Sequence, residues 1–393
     1  MISLRDKLKM VGAGSAPKTE PAPAPQKSPL YVEEARIPVS MLGGIERATL
    51  EEIRMCEPGF TGTSWDLQDL LFLDTETTGL SGGAGTLAFE IGTGFFDGDF
   101  FRIRQYVIRD YSQEREMLEA VIDLVKERRT VITFNGKTFD LPLIESRCIM
   151  NGLRFSFSDC PQLDLLHICR RVFKLRLGRC SLSALEQAVL GSEREDDLPG
   201  ALVPQRFFDY LHSGEFSLIR DVLRHNFDDV LSMPKLVSRV AGAFRAPEAL
   251  EYPEDIYGVG RTLMRGGHVD QARQCYIILG HTTMAGHARL RLAESYKKDK
   301  DWDETVRVCL RMVEDGQNGL WPYIELAKYY EHIERNYDKA EKICLRAMNA
   351  SLNILPLADE AQRERQQAEL NRLHKRINRI RKKAERQKEN GTF

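Results

Sequence analysis

The sequence predicts an α/β domain, a mixed sheet with helices on its faces, followed by an all-α region of repeated helix pairs. Three observations carry this. Residues 70–134 run through apolar, strand-length segments separated by turn residues and one helical stretch. From about Glu254 onward apolar residues recur only at helical spacing. Within that second half His268–Ala272, Asp301–Thr305 and Asn336–Ala340 align, with Asp270, Asp303 and Asp338 spaced 33 and 35 residues apart. A period near 34 with two helices per unit resembles tetratricopeptide repeats, whose stacks offer a concave surface to a protein partner.

A chain of 393 residues with 42% hydrophobic residues can build two domains with real cores. The formal net charge of −2 hides an uneven distribution. Eight cysteines lie at irregular spacing with no Cys-x-x-Cys pair. They read as buried reduced thiols, and Cys160, Cys169 and Cys180 lack the spacing of a zinc site. No apolar stretch has signal-peptide or membrane-spanning length. A cytoplasmic protein that does not engage a membrane is expected.

In chain order, residues 1–10 could form a short amphipathic turn. Residues 1–30 as a whole read as a disordered Pro/Ala-rich segment, with Pro17, Pro21, Pro23, Pro25 and Pro29. Residues 31–66 are a lead-in without an assigned role, apart from a helix near Thr49–Met55. The first folded domain is expected over 67–245. It opens with the strand Leu70-Leu71-Phe72-Leu73, which runs into Asp74 and Glu76. Side chains two apart on a strand leave the same face. Two adjacent carboxylates repel unless a cation lies between them, so this strand end is a candidate site for a hard divalent ion. The plainer alternative is a strand ending in an acidic surface turn.

Gly79–Gly85 reads as a flexible connection, with no Gly-Lys-Ser/Thr of a phosphate loop. Residues 87–96 and 99–108 flank Asp97-Gly98 as a hairpin. Helical spacing of Met117, Leu118, Val121, Ile122 and Val125 predicts a helix over 113–128, and Val131–Phe134 a further strand. Asn135-Gly136 makes a tight turn. Asp140 then opens a helix carrying Leu143, Ile144 and Ile149, either as an N-cap or as a third site carboxylate. Asp164 reads as the cap of the next helix, and helical patterns follow at 182–190 and 205–211. A helix from about Ser217 carries His225 and Asp229, four apart and so on one face. The alternative there is an ordinary surface pair. Pro234 is expected to limit or kink that helix.

The repeats occupy 250–356, and a basic C-terminal helix or tail 357–393. Between 372 and 388 nine Lys and Arg residues face the single acid Glu385. This segment reads either as an arm for nucleic-acid phosphates or as a solvated capping helix.

Asp74-Thr75-Glu76-Thr77, Asn135-Gly136-Lys137-Thr138-Phe139-Asp140 and His225-x-x-x-Asp229 occur in the order of the three exonuclease motifs. Residues 67–240 resemble the ribonuclease H-like DEDD exonucleases, and most nearly the bacterial YprB-type branch, in which such a domain is often joined to tetratricopeptide-like repeats. The resemblance implies an α/β ribonuclease H-like fold and a 3′→5′ exonuclease acting on nucleic acid, through a single-stranded end or 3′ terminus. It implies two Mg²⁺ (or Mn²⁺) held by Asp74, Glu76, Asp140 and Asp229, with Thr77 and Asn135 touching substrate and His225 orienting or deprotonating water. One position departs from the pattern. The family's third motif carries Tyr four residues before its Asp or His five before, and here His225 stands at the Tyr spacing. A structure-specific endonuclease on the same fold stays open, and neither DNA nor RNA is singled out. The rival reading from another class is a non-catalytic nucleic-acid-binding scaffold that recruits partners through its repeats. A degenerate domain of that kind is expected to have lost an acid, and none of the four is missing.

Overall fold

The computed structural model describes residues 29–79, 85–194, 198–354 and 360–390. The expected N-terminal turn and nearly all of the disordered segment, together with most of the Gly79–Gly85 run, lie outside these residues. Six strands, β1 (Tyr31–Pro38), β2 (Leu70–Thr77), β3 (Ala88–Asp97), β4 (Phe100–Val107), β5 (Thr130–Thr133) and β6 (Gln162–Asp164), form one sheet in the order β1-β4-β3-β2-β5-β6. The first four pair antiparallel, and β5 and β6 join in parallel. The β3–β4 hairpin turns at Gly98, whose φ of +56° suits glycine.

β1 is the main departure from expectation. Residues 31–66 are not a passive lead-in before a domain starting at Leu67. Tyr31–Pro38 pairs along the whole of β4 as the sheet's edge strand, with alternate residues exposed. A short helix, α1 (Leu50–Cys56), follows. Thr49 caps it in a reciprocal box with Glu52, and Ile53, Met55 and Cys56 enter the core. The alternation of Tyr31–Pro38 is masked in the sequence by Val32 on the exposed face and Glu33 on the other, while Glu34 and Arg36 keep the open edge strand soluble.

The next helices are α2 (Glu114–Arg128), α3 (Asp140–Met150), α4 (Leu165–Leu177), a single turn α5 (Leu182–Leu185) that widens into a π-turn over Glu186–Leu190, and α6 (Val203–Ser213). The long α7 (Arg220–Arg245) crosses the sheet. Pro234 lies inside α7 and does not end it. Val230, Met233, Leu236, Val237 and Val240 of this helix are all buried in one core, and that packing outweighs the ~3 kcal/mol cost of an interior proline.

Alternate residues of β2 feed two cores. Leu70 and Phe72 join the cluster under α7, α4 and α1, whereas Leu71 and Leu73 join the one under α2, α3 and α6. Asp74 and Glu76 continue the even-numbered series, so they face α7.

Three helix pairs follow: α8 (Pro253–Arg265) with α9 (Val269–Ile278), α10 (Ala285–Lys298) with α11 (Trp302–Glu314), and α12 (Trp321–His332) with α13 (Tyr337–Ile354). α14 (Glu360–Asn390) lies along α13. The core under α7 runs on without a break into these helices. Among the described residues no helix is long and apolar enough to cross a membrane. All eight cysteines are free thiols, seven of them buried.

Candidate active site

β2 outruns its parallel neighbour. It pairs with β5 only over Leu70–Phe72, so Asp74 and Glu76 project beyond the C-terminal end of β5. On the other side Asp74 stands opposite Gly92 and Glu76 opposite Glu90 of β3. Gly92 lets α7 come close: a Cβ there would sit 2.0 Å from Asn226 Oδ1, and one on Gly94 would lie 2.8 Å from Val230 Cγ1. Through that gap Asn226 Nδ2 donates to Asp74 Oδ2 at 2.9 Å.

Asp140 arrives from the turn after β5. Asn135 takes a left-handed φ of +68°, and a Cβ on Gly136 would fall 2.5 Å from Thr133 Cβ. Asp164 pins this turn: its carboxylate accepts from the backbone N–H of Asn135 (2.8 Å) and Lys137 (3.2 Å), as well as capping α4 through Leu166 N. Asp140 is the first residue of α3 but does not cap it. Its Oδ1 accepts instead from the Thr75 hydroxyl at 2.5 Å. The capping alternative for Asp140 is therefore set aside.

α7 brings the third motif. His225 Nε2 lies 4.0 Å from Glu76 Oε1 and 3.9 Å from Asp229 Oδ2, between the strand and its own helix neighbour. Thr77 turns its hydroxyl onto the Gly79 carbonyl at 2.7 Å.

Arg194 has no counterpart in the sequence reading. It donates to Glu186 through Nε (2.7 Å) and Nη2 (2.6 Å), to Asp229 Oδ1 through Nη2, and lies 3.3 Å from His225 Nδ1. Ser232 of α7 also donates to Glu186, at 2.5 Å. Burial works against the Arg194 charge, but the Glu186 hydrogen bonds and the Asp229 carboxylate outweigh it and push the guanidinium pKa up. Below the site Gln105 Nε2 donates to Glu90 Oε1 (2.8 Å) and the Leu223 carbonyl (2.6 Å), with Asn226 Oδ1 at 3.2 Å. Burial pushes Glu90 up to about 8, so at neutral pH it is mostly a neutral acid. The Arg194, Glu186 and Gln105 contacts span 8 to 121 residues of sequence, and no local pattern announces them.

The electrostatics of the four carboxylates agree with one another. Burial, then the charges of Asp229, Asp140 and Glu76, raise Asp74 well above the carboxylate range. Burial, then Glu90, Asp229 and Asp140, do the same to Glu76. Asp140 is pushed up to about 6 by burial, against the Thr75 hydrogen bond. Asp229 is raised by burial despite His225 and Arg194. As they stand, no three His, Cys, Asp or Glu among the described residues are close enough together to enclose an ion. Asp229 is turned onto Arg194 and Asp140 onto Thr75. The donor set itself, buried carboxylate oxygens only partly relieved by Arg194, Asn226 and Thr75 and with no thiolate among them, fits a hard divalent cation.

Known proteins share this fold. The family model described as RNase_H superfamily matches residues 71–241, which makes this a ribonuclease H-type domain. The chain is also 31% identical over 324 residues to the uncharacterized protein YprB of Bacillus subtilis (strain 168), over 79% of this chain and 76% of that one. It belongs to the YprB family. Among solved structures, a family B DNA polymerase from the hyperthermophilic archaeon Pyrobaculum calidifontis is similar over 61% of this chain, with 14% identity and a TM-score of 0.37. The match covers only 30% of the polymerase chain.

Proposed function

We propose that this protein is a divalent-metal-dependent nuclease that removes nucleotides from the 3′ end of DNA or RNA. The observation that carries the reading is the convergence of Asp74, Glu76, Asp140 and Asp229. They come from three distant segments, and burial raises the pKa of each, with the charges of the others adding to it at Asp74 and Glu76. Ribonuclease H-like nucleases generally use divalent ions. Asp74, Glu76, Asp140 and Asp229 would hold two Mg²⁺ or Mn²⁺ here, which when bound supply an activated water and stabilise the leaving 3′-oxygen. For Asp229 to take part, its Oδ1 must leave Arg194, which keeps Glu186 as a partner. His225, flanked by Glu76 and Asp229, is placed to orient the attacking water and accept its proton. Asn226 holds Asp74, and Asp164 holds the Asn135–Lys137 turn toward substrate. Thr77 and Asn135 are proposed substrate contacts. The 3′→5′ direction and single-nucleotide product rest on the likeness of the three motifs to the DEDD exonucleases.

The three helix pairs over 253–354 support a tetratricopeptide-like reading, with a protein partner on their surface. One contact favours the scaffold alternative: Arg194 already neutralises Asp229. A panel of end-labelled single- and double-stranded DNA and RNA, incubated with Mg²⁺, Mn²⁺ or chelator, separates the two. The nuclease gives a metal-dependent ladder that shortens from the 3′ end. Binding without cleavage on every substrate would leave the scaffold.

A further inference from the structure

The junction between the ribonuclease H-type domain and the helical region holds a second set of uncompensated charges, of opposite sign. A cleft of about 520 Å³ runs between α4 and α8, with Arg170, Lys174, Arg261 and Arg265 on its walls and no acid in its lining. All four are exposed, and among the described residues none pairs with a carboxylate. A fifth cation of the lining, Arg171, is different. It is tied to Glu57 at 3.1 Å and to the Cys56 carbonyl at 2.9 Å, so it serves the fold.

Arg170 and Lys174 are four apart on one helix, and Arg261 and Arg265 are four apart on the other. Like charges at that spacing repel and weaken a helix slightly. Two such pairs facing each other across a cleft cost the protein stability, and among the described residues no carboxylate offsets the cost; Arg261 has only the Tyr257 ring, at 5.9 Å. The walls are also held rigidly. A Cβ on Gly258 would lie 2.4 Å from the Val172 carbonyl, so α4 and α8 touch backbone to backbone. Arg176 clamps the same junction through Asp255 at 2.8 Å and lies over the Tyr252 ring at 4.2 Å. Leu175, 53% exposed, gives the cleft an apolar patch.

α4 begins at Asp164, which pins the turn leading to Asp140. At 1.5 Å per residue, Arg170 and Lys174 stand about 9 and 15 Å along the helix from that point. A rigid double row of cations, one row of it on the helix whose cap also pins the turn leading to Asp140, matches the repeated charge of a phosphodiester backbone. We propose that the α4–α8 cleft is a nucleic-acid backbone site that holds the strand upstream of the end presented to Asp74, Glu76, Asp140 and Asp229. The assignment deepens the nuclease reading and rests on it for the orientation of the strand, but its test is binding.

The experiment uses the full chain in chelator, where no strand is cut. Anisotropy of labelled single- and double-stranded oligonucleotides is followed across a salt series. Wild type is compared with the fourfold variant Arg170→Gln/Lys174→Gln/Arg261→Gln/Arg265→Gln. Loss of four phosphate contacts lowers the slope of log affinity against log salt by about 3, and affinity near physiological salt by about 10²-fold. A melting curve checks the fold, which exposed Gln residues leave intact. A tail variant, Arg372→Gln/Lys375→Gln/Lys382→Gln/Arg386→Gln, keeps the wild-type slope. An unchanged slope in the cleft variant, transfer of the effect to the tail variant, or equal competition by polyglutamate would each overturn the assignment. If wild type binds with the expected slope but never cuts with Mg²⁺ or Mn²⁺, the cleft stands and the nuclease reading fails. If it cuts while the cleft variant binds unchanged, the reverse holds.

Discussion

Glu331, on α12, is fully buried at its side chain and meets Arg376, Arg379 and Lys383 of α14 at 2.7–3.2 Å. Burial alone would raise its pKa, but the Arg379 and Lys383 hydrogen bonds outweigh burial and bring it to about 2. Asp74, Glu76 and Asp140 are also largely withdrawn from water, but burial is not outweighed there and their pKa values rise, with the charges of nearby carboxylates adding to it. The two regions bury the same functional group with opposite results. Where the chain supplies the counter-charge, the carboxylate holds elements together, here the C-terminal helix against α12. Where burial is not offset, a cation from outside is proposed to complete the site. The basic segments divide in the same way. In α14, Arg376, Arg379 and Lys383 meet Glu331 and Arg381 meets Glu341, whereas Arg170, Lys174, Arg261 and Arg265 of the α4–α8 cleft meet no carboxylate among the described residues.

The largest expected effect breaks the unneutralised side of this comparison. Asp74→Asn or Asp140→Asn should lower hydrolysis by several orders of magnitude, to the level seen in chelator. Each removes a proposed ligand from a mutually repelling group. The metal-free melting temperature should hold or rise, since a strained charge is lost. Turnover at the wild-type rate by either purified variant would remove the metal-site reading.

His225→Asn should lower single-turnover cleavage by ~10²–10⁴, the usual worth of a proton acceptor, while Mn²⁺ binding persists. His225→Tyr should recover part of the rate by holding the water through its hydroxyl. If the Asn variant cuts as fast as wild type, His225 only lines the pocket.

The neutralised side is tested by Glu331→Gln, which leaves three converging cations without a partner at a cost of about 3 kcal/mol. Hydrogen exchange over 360–390 should quicken while oligonucleotide cleavage is retained. Slow exchange there in the variant would show that apolar contacts alone dock α14. The sign of the pH dependence follows from the shift. With a folded pKa of about 2 against about 4.3 unfolded, Glu331 contributes stability that is full above the unfolded value and is lost as pH falls through 2. Asp140, raised to about 6, runs the other way in metal-free protein: stability grows as pH falls from near 7 toward its unfolded value. Acid titration of Glu331→Gln and Asp140→Asn, each against wild type, should remove one slope apiece.

The smallest effect on stability sharpens how the carboxylates are brought together. Gly92→Ala puts a methyl group against Asn226 and should cost about 1–3 kcal/mol, as overpacking does. It should also push α7 off the sheet and lower cleavage far more than the stability loss explains. Unaltered cleavage would mean that the approach of Asn226 to Asp74 has no bearing on the site.

Much of the fold was legible because its signals are local. Apolar runs of strand length, the Asp97-Gly98 turn and the helical stripe of 113–128 declare themselves locally, and the repeats of 250–356 through their period near 34. The fold class followed from them. What failed was of another kind. Tyr31–Pro38 carries charges on its open face and reads as a strand only once β4 is beside it. Pro234 signals a stop that a buried helix face overrides. The basic tail reads either as an arm or as a capping helix, and only the structure brings Arg376, Arg379 and Lys383 to Glu331, some 45 to 52 residues away in sequence.

The sequence alone determined which groups are proposed for the chemistry. Asp74, Glu76, Asp140, His225 and Asp229 stand in an order and spacing that strand and helix geometry convert into shared faces. Only the tertiary structure decided which charges are compensated. That depends on contacts such as Arg194 to Asp229, Asn226 to Asp74 through the space at Gly92, and the α14 cations to Glu331, each made between segments far apart in the chain. Electrostatic energy in a buried site is set by distance and solvent exclusion, and neither is written in the local sequence.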